Sequence, residues 1–271
     1  MLKNRVITAL VLAPLIVAGI LLLPPMWYAV VWGLVFAVAA WEWSGLCGLE
    51  KIPERAGLVA VLIGLMITGP QWADYVLDWL SWPVVAWWFI LSLLFRRMPG
   101  KLLQLRYPLA VKILVGMLVL ITSWIHLIWL RVNFGANQVL YLLLLIWAAD
   151  IAAYFVGKRW GFTKLTPELS PGKTAEGLYG ALFASILFAA AVALFKGFSL
   201  VAAVDFVLLS VVTVVISVVG DLFESLVKRI RGVKDSGSIL PGHGGLLDRI
   251  DSVLAAAPVF YLGSFIVEIF L

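Results

Sequence analysis

Charge is what this sequence has least of. Asp, Glu, Lys and Arg make up 13% of its 271 residues, about half the share of a soluble domain, and that deficit excludes an ordinary water-soluble fold. Cysteine is almost missing as well. The single Cys47 rules out an internal disulfide framework and a cysteine-rich metal site; it is expected to pack inertly near a helix end. Two histidines, His126 and His243, leave too little material for a multi-histidine metal centre. Linkers, low-complexity tracts and convincing internal repeats are also lacking. One membrane domain is therefore expected over 1–271, with hydrophobic helices in 1–135 and the polar motifs in 136–271.

What is present is mostly apolar: 63% of the residues, with a mean hydropathy of +1.08. That composition calls for several membrane spans. Apolar runs occur at 6–23, 26–47, 57–72, 82–95, 109–130, 138–156, 178–195, 201–219 and 252–271. The run at 82–95 is shorter than the roughly 17 residues needed to cross upright. The first run follows Lys3 and Arg5 as a signal peptide would, but it has no obvious small-residue cleavage site and is read as a retained helix. If all nine runs cross and the N-terminus is cytoplasmic, only Arg131 and Lys196 of the 20 basic residues fall on the outer side. Positive-inside bias favours that arrangement. The expected architecture is an all-α, polytopic integral membrane bundle of about nine helices with a cytoplasmic N-terminus.

Against this background the stretch 225–251, SLVKRIRGVKDSGSILPGHGGLLDRID, is anomalous. Asp221, Glu224, Ser225 and Lys228 precede or open it at helical spacing, so a helix continued past the eighth run would carry them as one polar stripe. Snorkelling into headgroups is the plain explanation, yet ionisable residues at the inner end of a span are costly and point to function. The turn Pro241-Gly242-His243-Gly244-Gly245 lets backbone N–H groups approach an anion, and the helix that follows adds its dipole. Asp248 and Asp251 then share a face of that helix. Acidic residues in a first turn also have a dull role as dipole partners. Two carboxylate pairs on separate helices, flanking a basic glycine turn, nevertheless suit Mg²⁺ that in turn holds phosphates.

Other polar residues stand apart from that stretch. Gly172-Lys173-Thr174 invites a phosphate-loop reading, but Pro167 stands where that motif needs its first glycine and no strand precedes it. Ser170-Pro171 instead reads as a helix start, with Ser170 as N-cap and Pro171 at the first helical position. Lys173 remains able to reach a phosphate. Asp150, surrounded by alanines within an apolar run, suggests a polar cavity between close-packed helices. Glu42 in Trp-Glu-Trp is expected to snorkel, and His126 to be a satisfied packing residue.

The pattern Ser225-x-Val227-Lys228-Arg229, four residues, Lys234-Asp235-x-Gly237, then Leu240-Pro241-x-His243-Gly244-Gly245-Leu246-x-Asp248-Arg249-Ile250-Asp251 resembles the signature of phosphatidate cytidylyltransferases, the CDP-diacylglycerol synthases. The segments 170–177 and 220–225 and the Asp150 helix are similar to that family too; the first half resembles it mainly in being hydrophobic. The resemblance implies a membrane enzyme, often a homodimer, that joins CTP to phosphatidic acid and releases pyrophosphate. It implies Mg²⁺ and a second, monovalent cation, K⁺, with Asp221 and Asp248 as metal-holding carboxylates and Asp251 and Glu224 beside them. Lys228 and His243 are expected in the catalytic set. Lys173, Ser225, Arg229, Lys234, Asp235, Gly244, Gly245, Arg249 and Asp150 are expected around the substrates. No nucleic-acid partner is expected. A transporter using Asp150 and Glu42 fits less well, because the polar residues gather on one side of the membrane rather than at its midplane. A CDP-alcohol phosphotransferase lacks support, since its spaced Asp-rich motif is absent.

Overall fold

The computed structural model of the protein describes residues 2–239, 242 and 244–267. The chain is a bundle of helices: α1 Leu2–Leu22, α2 Pro25–Cys47, α3 Ile52–Tyr75, α4 Ser81–Arg97, a short α5 Pro99–Gln104, α6 Leu109–Phe134, α7 Ala136–Trp160, α8 Ala175–Lys196, α9 Leu200–Arg231 and α10 Leu247–Val267. Among the described residues, six helical segments are long and apolar enough to cross a membrane. Large apolar side chains such as Ile67, Phe183, Leu194 and Phe195 lie on the outer surface. Buried Cys47 and fully buried His126 match the reading of both as packing residues. His126 Nδ1 is bonded to Thr122 O and Nε2 to Ser81 Oγ.

The runs expected at 57–72 and 82–95 are joined rather than separate. Helix α3 continues through a π-helical turn, Val76–Leu80, into α4. A straight rod of those 46 residues would extend about 69 Å, yet Arg55 near its start and Trp88 in α4 meet the same layer of the bundle. Arg55 Nη2 donates to Trp41 O (2.7 Å). Trp88 packs edge-on against Phe223, whose ring in turn stacks on Trp43. The segment therefore bends back between them, where Pro70 and the π turn, both recognised places for a helix to kink, lie.

Two features depart from a pure helix bundle. Before α8 the chain forms an antiparallel hairpin, β1 Lys164–Thr166 with β2 Ser170–Thr174. Ser170-Pro171 is thus strand and not a helix start. The cap is Thr174, whose Oγ1 accepts from Gly177 N (3.1 Å), and the helix begins at Ala175. A two-stranded hairpin is all edge, so Pro171 costs it little. Second, α9 runs unbroken for 32 residues to Gly232, which closes it in the left-handed conformation. At about 48 Å it outlasts a bilayer's hydrocarbon core and carries residues 221–231 beyond the apolar run.

The crossing of α9 and α10 is fixed by Gly220. A Cβ there would run into the main-chain oxygen of Asp251 and the Ala255 side chain. Gly220→Ala is expected to force the two helices apart and destabilise the protein by roughly 1–3 kcal/mol. Gly57→Ala, where a Cβ meets open space, should not. Thermal unfolding in detergent checks the difference.

Candidate active site

Three pieces of backbone deliver the polar residues to one end of the bundle. The end of α9 presents the stripe as a helical face: Ser225 Oγ donates to Asp221 Oδ1 (3.3 Å), and Lys228 Nζ lies 2.7 Å from Glu224 Oε2. The start of α10 brings Asp248 alongside, with its Oδ1 2.5 Å from Lys228 Nζ. One ammonium group therefore lies between two carboxylates, and all three groups are largely shielded from solvent. The hairpin supplies Lys173, whose Nζ lies 2.6 Å from Asp221 Oδ2.

Asp248 Oδ2 organises the glycine turn. It accepts from Gly245 N (2.8 Å), Ser236 N (2.9 Å) and Ser236 Oγ (3.0 Å). Gly244, at φ +82°, approaches so closely that a Cβ would press on that same oxygen. A left-handed backbone with no room for a side chain is a position for glycine alone. The Gly245 N–H is thus turned inward on Asp248.

Helix α7 forms the opposite wall. Asp150, Ala153, Tyr154 and Gly157, at helical spacing, line a cleft of about 490 Å³ together with Lys158, Ser170, Lys173 and Asp221. Asp150 lies in the electrostatic field of Lys173, Asp221 and Arg249. The cleft exists because α7 and α8 touch through glycine. Gly177 leaves no room for a Cβ against Ala153 O, and Gly180 none against Val156. A second cleft of about 440 Å³ adjoins the first, sharing Leu165, Leu178 and Val218 as wall. It is aliphatic apart from Phe95, Arg96, Ser92, Thr166 and Tyr179.

Asp150, Lys173, Asp221, Glu224, Ser225, Lys228, Asp248 and Asp251 thus occupy one neighbourhood, Asp251 within electrostatic reach of Asp221, Glu224 and Lys173. Arg229 is directed elsewhere: its Nε donates to Leu169 O (3.2 Å), tying α9 to the hairpin. Lys234 and Asp235 lie exposed on the connection between α9 and α10, and His243 falls outside the described residues. Among the described residues no three of His, Cys, Asp and Glu gather into one metal-binding group. Instead Lys228 bridges Glu224 and Asp248, and Lys173 pairs with Asp221.

Glu42 corrects the expectation from sequence. It does not snorkel; it is 2% exposed and binds the start of α10. Its Oε1 accepts from Leu246 N (3.0 Å), and its Oε2 from Leu247 N (2.7 Å) and Ser236 Oγ (3.0 Å). A carboxylate answering the free N–H groups of a helix start is good chemistry. These donors lie 204 and 205 positions along the chain, so no local spacing could announce them. The one sequence signal was an acid between two tryptophans in an apolar run.

Comparison with known proteins gives a concordant picture. A family model described as "Cytidylyltransferase family" matches residues 3–267. The chain is 42% identical over 272 residues to a protein of Pseudomonas aeruginosa named phosphatidate cytidylyltransferase, covering 96% of each. It is 36% identical over 285 residues to one of the same name from Haemophilus influenzae, covering 96% of this chain and 97% of the relative. A protein of that name from Bacillus subtilis is 44% identical over 134 residues, about half of each chain.

The lysine bridge can be broken selectively. Lys228→Met leaves Glu224 and Asp248 buried without their shared cation and is expected to cost about 3–5 kcal/mol. Adding Glu224→Gln and Asp248→Asn should restore much of it. Equal melting temperatures for Lys228→Met and the parent protein in detergent would show the bridge to be energetically idle.

Proposed function

The chain belongs to the cytidylyltransferase family, and from that premise we propose that it transfers the cytidylyl group of CTP to phosphatidic acid, giving CDP-diacylglycerol and pyrophosphate. The observation that carries the reading is the facing of Asp221 and Lys173 in a cleft beside a second, aliphatic one. A phosphate and a lipid tail need adjoining sites of that kind. Full-length similarity to two proteins of that name supports it.

In this reading a phosphate oxygen of phosphatidate attacks the α-phosphorus of CTP, the new P–O bond forms, and the bond to the pyrophosphate leaving group breaks. Both reactants are anions, so the protein's task is positioning and neutralisation. Lys173 meets phosphate in the cleft, with Asp150 holding its wall polar. Arg96 and the aliphatic walls of the adjoining cleft receive the glycerol end and acyl chains. Lys228 and Lys234 offset charge on the nucleotide side, Ser225 and Arg249 line the approach, and His243 orients or handles a proton. Asp235, Gly244 and Gly245 shape the turn, and Arg229 braces the Lys173 hairpin through Leu169 O.

The donor set fits a hard divalent cation. Asp221, Asp248, Asp251 and Glu224 offer only carboxylate oxygens, and among the described residues none donates a hydrogen bond to buried Glu224 Oε1. Mg²⁺ typically takes one or two carboxylates and completes its shell with phosphates and water, so a ready-made cluster is not required. Asp221 and Asp248 would hold it, with Glu224 and Asp251 beside them; when bound it would supply charge neutralisation at the CTP phosphates. The reading retains K⁺ as a second cation.

For the membrane arrangement we propose nine crossings. They are α1, the two arms of 52–97, α10 and the five helices α2, α6, α7, α8 and α9. The N-terminus and the cleft face the cytoplasm of a bacterial inner membrane. The basic-residue asymmetry supports that orientation. The reading also retains the homodimer that the signature implies.

Purified protein given CTP, Mg²⁺ and phosphatidic acid should release pyrophosphate only when the lipid is present. Asp221→Ala and Asp248→Asn should each cost roughly 100-fold or more in turnover. Pyrophosphate release indifferent to phosphatidic acid would overturn the assignment. Lys173→Gln should raise KM for phosphatidic acid more than for CTP, as read from initial rates at saturating partner substrate.

A further inference from the structure

The second helix carries a residue that the reaction scheme above leaves unused. Glu42 sits between Trp41, whose ring lies 4.1 Å under the Arg55 guanidinium, and Trp43, which stacks on Phe223 and donates from Nε1 to Lys112 O (3.0 Å). Those two anchors fix the end of α2 from both sides. Between them the carboxylate points at the start of α10, where it accepts from two consecutive backbone N–H groups and from Ser236 Oγ. The surrounding chain is shaped to it: a Cβ at either Gly237 or Gly245 would collide with the Glu42 carboxylate. Among the described residues no Lys or Arg forms an ion pair with it. Its partners are the amides of a helix N-terminus, which favour an anion.

Ser236 makes this more than a helix cap. Its hydroxyl lies 3.0 Å from Glu42 Oε2 and 3.0 Å from Asp248 Oδ2, while its own N–H donates to that Asp248 oxygen. A hydroxyl has one proton, so it can donate to one carboxylate at a time. The two acids are therefore coupled through a shared donor, and Gly245 N completes the link back to Asp248.

We propose that Glu42 is a positioning residue for Asp248: it fixes the first turn of α10 and Ser236, and through them the direction in which the Asp248 carboxylate is held toward Lys228. The assignment rests on the cytidylyl-transfer reading for its kinetic consequence but not for its structural one. Groups that orient a metal- or substrate-holding carboxylate typically change affinity or activity by about 10- to 100-fold.

Glu42→Gln is the informative variant, because it keeps the volume and removes one of the two acceptor oxygens. Turnover should fall at least about 10-fold, with KM for phosphatidic acid within about twofold of the parent protein. Hydrogen–deuterium exchange, measured in detergent without metal or nucleotide, should rise across 235–250 and stay unchanged in 164–177. Ser236→Ala should reproduce both signatures in weaker form. The double variant should be no worse than Glu42→Gln alone, the non-additivity expected of residues acting through one link. The proposal is overturned if Glu42→Gln keeps turnover within twofold of the parent, if exchange rises throughout the bundle, or if the two substitutions act independently. Should the parent protein show no phosphatidate-dependent turnover, the functional reading fails by itself, and the exchange arm still decides whether Glu42 holds the turn.

Discussion

Burying carboxylates in an apolar bundle is expensive, and much of this structure follows from how that cost is met. Glu224 and Asp248 would repel each other in a low-dielectric setting; a single lysine between them makes their approach tolerable. That bridge needs the ends of α9 and α10 to lie side by side, which only Gly220 permits by letting backbone meet backbone. Between the two helices, Ser236 and Gly245 donate to Asp248, and Ser236, Leu246 and Leu247 reach Glu42.

The cleft has a different physical origin. Helices α7 and α8 pack through Gly177 and Gly180, so their axes run close and their side chains are displaced to the flanks. Asp150 and Lys173 lie on one such flank, held apart from the aliphatic groove by a shared wall of Leu165, Leu178 and Val218. The hairpin that bears Lys173 is itself tied down: Arg229 reaches Leu169 O, and Glu176 accepts from Thr163 N and Phe162 N. A flexible lysine is thereby given a fixed base close to Asp221.

Much of the site was legible because its logic is local. The stripe Asp221, Glu224, Ser225 and Lys228 follows from a helical period, and α9 does run on through it. The glycine turn and the Asp248 helix start follow from composition. The Ser170-Pro171 start misled because Ser-Pro suits both a helix cap and a strand edge; Thr174 and Gly177 decided the matter by making the cap themselves. The joined path of α3 and α4 was equally hidden, since a π turn has no distinctive composition.

The sequence alone determined the membrane character, the placing of the apolar runs and the polar residues that stand out from them, because hydropathy and short spacings are properties of neighbours along the chain. Which of those residues meet was decided by tertiary structure. The pairing of Lys173 with Asp221, of Lys228 with Asp248, and above all of Glu42 with α10 depends on helix crossings set by glycine contacts between distant segments. An acid that looked like a headgroup contact became the cap of a helix some two hundred residues away, because packing brought two backbone N–H groups and a hydroxyl to its carboxylate.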